Sequence, residues 1–105
     1  MNVEVKLKKI ELRGVASAIA DRIKRSIHAA PGNRWNKTGH LLQSISVVGN
    51  SDGSAGVTVA ADRLRQPEMA GVFTREILTD PTRDSAVRSA ISKAVADAIE
   101  LKVTK

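Results

Sequence analysis

The stretch Trp35-Asn36-Lys37-Thr38-Gly39-His40-Leu41-Leu42-Gln43-Ser44-Ile45-Ser46-Val47 decides how the chain must fold. Thr38 can cap a short helical turn, and Gly39 permits backbone that would crowd any other residue. Leu41 and Ile45 share one face of that turn and are suited to anchor it on a core. Ser44 ends the turn and opens an extended run. The polymer therefore changes here from helical to strand-forming sequence, and the roles of Thr38, Gly39, Leu41, Ser44 and Ile45 are structural.

Upstream, Arg34 to Lys37 reads as an exposed polar connection that carries the only Trp, Trp35. Pro31-Gly32-Asn33 is a helix breaker. Before it, Leu12, Val15, Ala16, Ile19, Ile23 and Ile27 fall on one sector of a 3.6-residue helix. Arg13, Ser17, Asp21, Lys24, Arg25 and His28 occupy the other side, so an amphipathic helix is expected from about Ile10 to Ala29. Val3 to Leu7 alternates with period two and predicts a short strand.

Downstream, Ser44 to Val48 and Val57 to Ala61 are β-rich runs. Between them Gly49-Asn50-Ser51-Asp52-Gly53-Ser54-Ala55-Gly56 is almost pure turn chemistry, expected to form a long, mobile hairpin loop. Asp62 to Leu78 reads as irregular, with a short strand around Val72. Asp80-Pro81 then supplies an N-cap and a Pro for the first helical position, with Asp84 complementing the dipole. Val87, Ala90, Ile91, Ala94, Val95, Ala98 and Leu101 predict the stripe of a second long helix. The expected fold is one α+β domain over residues 1–105: two long amphipathic helices on one face of a small antiparallel sheet.

At 105 residues the chain suffices for one core, burying about two-thirds of the unfolded surface. Only 2% of the residues are aromatic, so the core must come from Ala, Val, Ile and Leu, with further burial expected from a neighbouring subunit. Lys and Arg number 17 against 11 Asp and Glu, and the excess is local. Up to Lys37 there are nine basic and three acidic residues, or +6; from Thr38 onward there are eight of each. That asymmetry fits an anionic partner, either a nucleic acid or an acidic protein ring. Arg13, Arg22, Lys24, Arg25, Arg34, Trp35 and Lys37 are the candidate residues for such a partner or lumen surface.

No chemistry-bearing constellation emerges. The chain has no Cys, hence no disulfide, thiolate metal site or thiol nucleophile. His28 and His40 lack ligand-like neighbours at helical spacing, and no phosphate-cradling glycine motif occurs. No apolar run is long enough for a membrane span, and the alternation of charged and apolar residues at the N-terminus is not the pattern expected of a signal peptide. An enzyme, a cofactor and a membrane partner are not expected. For nucleic acid the basic residues are present, but neither the aromatic interleaving for single strands nor a helix-turn-helix pattern accompanies them.

The segment Thr38-Gly39-His40-Leu41-Leu42-Gln43-Ser44-Ile45 resembles the T-G-x-L-x-x-S-I signature of small tail-component proteins of tailed bacteriophages. That family includes neck, tail-completion and head–tail joining proteins. Its usual order is an amphipathic helix, a Pro-containing loop, the signature, a hairpin, an irregular stretch and a C-terminal helix. Pro81-Thr82-Arg83 fits the Pro-x-Arg opening of that last helix. Ala60-Ala61-Asp62-Arg63-Leu64 departs from it, standing where the family carries an aromatic-rich stretch. The resemblance implies a structural virion component made in the host cytoplasm. It would form a homo-oligomeric ring between the phage connector and tail proteins, with transient DNA contact. Gly49 to Gly56 is the candidate assembly loop. A small basic nucleic-acid-binding domain is the alternative.

Overall fold

Ile23 and Ile27 lie one turn apart on a helix and are both buried, and the core assembles around them. A computed structural model describes residues 1–30, 35, 39–59, 67–78 and 80–104. The elements are β1 (Asn2–Leu7), α1 (Arg13–Ala29), α2 (His40–Gln43), β2 (Ser46–Gly49), β3 (Ala55–Thr58), α3 (Pro67–Glu76), a 3-10 turn (Pro81–Arg83), α4 (Ser85–Ala98) and β4 (Ile99–Thr104). The protein is α+β, and its strands pair in two separate antiparallel ribbons, β1 with β4 and β2 with β3.

On α1, Val15, Ala16, Ala20, Ile23 and Ile27 are buried, whereas Leu12, just before it, stays partly exposed. The helix ends at Ala29, and Ala30 turns extended ahead of Pro31, as the proline ring demands of its predecessor. α1 packs against the β2–β3 hairpin and against α4. A single cluster joins Ala20, Ile23 and Ile27 to Trp35, Leu41, Ile45, Phe73 and Ile77.

Four expectations need correction. The single small sheet is instead two ribbons, and β2–β3 is the one that packs broadly on α1, whereas β1 pairs with β4 far along the chain. That strand, β4, replaces the last turn expected of the C-terminal helix. α4 stops at Ala98 and Leu101 belongs to the strand, where Ile99-Glu100-Leu101-Lys102-Val103 alternates with period two. The segment read as irregular contains α3. Pro67 at its first position is a helix starter, and Met69, Val72, Phe73 and Ile77 keep helical spacing. Finally, α4 is capped by Asp84, whose Oδ1 accepts from the N–H groups of Ala86 (2.9 Å) and Val87 (3.2 Å). Asp80 caps only the 3-10 turn, accepting from Thr82 N at 2.9 Å.

The molecule is elongated, 63 × 26 × 20 Å, with a radius of gyration of 17.9 Å. A compact chain of this length has roughly 13 Å. The excess comes from β1–β4, which continues beyond α4 as an arm of about 20 Å. All twelve of its residues are exposed. It is tied to the body at its root, where Lys8 N donates to Ala98 O at 2.7 Å.

Candidate assembly interface

The basic residues of the first third do not form one free face. Arg25 Nη2 donates to Asp84 Oδ2 at 2.9 Å, and Arg22 Nε lies 3.8 Å from the same oxygen. Two of the expected partner-facing cations therefore hold the start of α4 against α1. The Asp84 side chain is 11% exposed, and that burial works to raise its pKa. The N–H of Val87, the Arg25 guanidinium and the N–H of Ala86 outweigh it and hold the carboxyl below its ordinary value. Arg13 lies along Gly49 of the hairpin, and Lys24 is exposed. Arg34, Lys37 and the Thr38 cap fall outside the described residues.

Trp35 corrects an expectation more sharply. It is 3% exposed rather than solvated, its ring stands edge-on to Phe73 at 5.2 Å, and its Nε1 donates to Glu76 at 2.9 Å. It serves the core and offers no partner surface. Close by, Gly39 takes a φ of +78°, a left-handed backbone that favours glycine. Leu41 and Ile45 are buried, and Ser44 Oγ donates to Leu41 O at 2.7 Å, closing the turn before β2.

The hairpin loop is shorter and better held than eight residues of turn chemistry suggest. Gly49, Ala55 and Gly56 belong to the strands, leaving Asn50 to Ser54. Asn50 N donates to Ser54 O at 2.8 Å, and Asp52 Oδ1 accepts from Ser54 N at 3.0 Å. Gly53 has a φ of +91° and is buried against Ile10, and its carbonyl accepts from Leu12 N at 2.8 Å. Lys9 Nζ donates to Ser51 O at 2.7 Å. The loop thus clamps the segment between the arm and α1. Asn50, Ser51, Asp52 and Ser54 are exposed on it.

The arm is the surface that composition alone did not single out. Across it Val3 faces Val103, Val5 faces Leu101 and Leu7 faces Ile99. Directly opposed residues share a face, so these six side chains form one apolar side, each 45–68% exposed. The other side pairs Glu4 with Lys102 and Lys6 with Glu100 in register. Alternation in both terminal segments was the available signal; the helical spacing of Leu101 from Ala98 and Ala94 masked it at one end.

Among the described residues no group of three His, Cys, Asp or Glu is placed to hold a metal, and no helix is long and apolar enough to cross a membrane. Among the described residues two open grooves stand out. One of about 430 Å³ lies between the end of α1 and α3, at Ser26, Ala30, Glu76 and Ile77. The other, about 300 Å³, lies between α1 and β3 and is walled by Leu12, Val15, Ile19 and Val57. Comparison with protein-family models, with curated proteins and with solved structures found no match.

Proposed function

We propose that this chain is a structural assembly subunit of a phage or prophage neck or tail. It forms a ring that joins or completes the tail at the head–tail interface and enters the virion from the host cytoplasm. The observation that carries this proposal is the arm: a neutral two-stranded ribbon whose apolar side is exposed, tied to the described body chiefly at its root. Ribbons of two strands are marginal alone in water, and a further strand or a layer packed on the apolar side is what stabilises them. A protein partner supplies that layer. The Thr38 to Ile45 signature and the helix–hairpin–helix order around it supply the phage setting. The connector and tail proteins meet the exposed hairpin loop and the cationic side of α1, with DNA a passing contact.

The test is genetic. Deleting the gene from an inducible phage or prophage is expected to leave filled heads and separate tails in micrographs, with infectious yield restored by the gene in trans. An unchanged yield of joined, infectious particles would refute the proposal.

Nucleic-acid binding is the alternative, favoured by one observation: the whole +6 lies before Thr38. On that account the purified chain binds duplex DNA with micromolar or better affinity at physiological salt, falling steeply as salt rises.

A further inference from the structure

We infer that the arm of one copy seats its apolar side in the α1–β3 groove of the next copy, so that arm and groove are two halves of one head-to-tail contact. This rests on the assembly reading for its setting, though its test does not require a phage. The arm brings the central pair Val5 and Leu101, 68% and 64% exposed and opposite each other in the ribbon. The groove brings about 300 Å³ walled by apolar side chains, with Leu12 standing 39% exposed at its rim. A site of ~150 Å³ holds a benzene-sized group, so this groove has room for about two aliphatic side chains.

Charge selects the occupant. The arm's charged residues, Glu4, Lys6, Glu100 and Lys102, cancel, while the chain as a whole carries +6. Two bodies of that charge repel, and a neutral arm reaching about 20 Å outward allows contact without pressing them together. An anionic partner would gain nothing from an uncharged arm. A patch complementary to a pocket elsewhere on the same molecule makes a heterologous contact, which closes into a ring when the rotation permits.

The experiment uses three proteins: wild type, an arm variant with Val5→Lys and Leu101→Glu, and a groove variant with Leu12→Glu. In the arm variant the opposite charges face each other across the ribbon, keeping its pairing while replacing the centre of the apolar side with charge. Buried Trp35 reports by its fluorescence that the body of each protein is folded. Sedimentation at ~100 μM is expected to show wild type assembled and each variant monomeric, its association weakened at least ~100-fold by the loss of two buried aliphatic groups or a charge in their place.

Mixing the two variants restores one intact contact per pair, the groove variant's arm in the arm variant's groove, so a one-to-one complex forms and growth stops there. A monomeric wild type, a variant that assembles like wild type, or folded variants whose mixture stays monomeric would each overturn the inference. A monomeric wild type would leave the genetic test standing. Loss of assembly by variants that still join heads to tails would refute the function and not the contact.

Discussion

Trp35 shows how much one side chain decides. The core has two aromatic residues to work with, and it sets them edge to face, with the indole N–H satisfied by Glu76. Trp35→Phe keeps a ring and loses the donor, so a loss of roughly 1–2 kcal/mol is expected by urea denaturation followed by circular dichroism. Trp35→Ala opens a cavity among Ile27, Phe73 and Ile77 and is expected to cost roughly 3–5 kcal/mol. The glycines separate as cleanly. At Gly53, with φ +91°, a Cβ would overlap the Ile10 carbonyl oxygen, and Gly53→Ala is expected to lose about 1–3 kcal/mol. At Gly56 a Cβ meets nothing, and Gly56→Ala is neutral or stabilising by up to ~1 kcal/mol. Leu41, Ser44 and Ile45 were legible as an anchored turn because capping and spacing are local. The burial of Trp35 was not, since its neighbours in sequence are polar and its partners lie on α3, about 40 residues away.

At the scale of elements, local signals competed and the long-range one prevailed. α1 was readable to its end at Ala29 because its stripe, its breaker and its polar side agree, but it starts at Arg13 rather than near Ile10, since Leu12 N–H donates to the hairpin carbonyl of Gly53 instead of a helical partner. α3 was hidden by Pro67 and Gly71, which punctuate most segments but here start a helix and sit harmlessly within it. The end of α4 was ambiguous, because Leu101 fits both periods; pairing with β1 resolved it in favour of a strand. The start of α4 carries a pH dependence. Asp84 is held below the ordinary carboxyl value, so its contribution is complete above about pH 4 and is lost as pH falls through the lowered native value. Thermal unfolding midpoints are expected to fall on acidification below about pH 4, and Asp84→Asn should lower the midpoint at pH 7 while flattening that acid limb. An equal drop for wild type and variant would assign the acid sensitivity to other groups. Replacing Asn50 to Ser54 by Asn-Gly removes the acceptor of Leu12 N and the anchor of Lys9, so the shortened hairpin is expected to melt earlier than wild type in a thermal scan.

At the scale of the whole molecule, the chain divides into a cationic body and a neutral arm. Composition revealed the charge and the shortage of large side chains; it did not reveal the exposed apolar arm, because that arm exists only once β1 and β4 meet. Arg22 and Arg25 are already engaged by Asp84, so the body offers fewer free cations than its sequence suggests. Duplex binding by the purified chain is accordingly expected in the range of ~10–100 μM at physiological salt, measured by fluorescence anisotropy. The claim that the chain is built to assemble through its arm is tested most directly by covalent trapping, which the absence of native Cys makes clean. Leu101→Cys marks the arm and Leu12→Cys marks the groove, each as the single Cys of its own copy. Under mild oxidation the account predicts a disulfide-linked pair that forms from the mixture and contains one copy of each, with little self-linking by either alone. Efficient self-linking of the Leu101→Cys protein, placing arm on arm, or no linked pair from the mixture would contradict it.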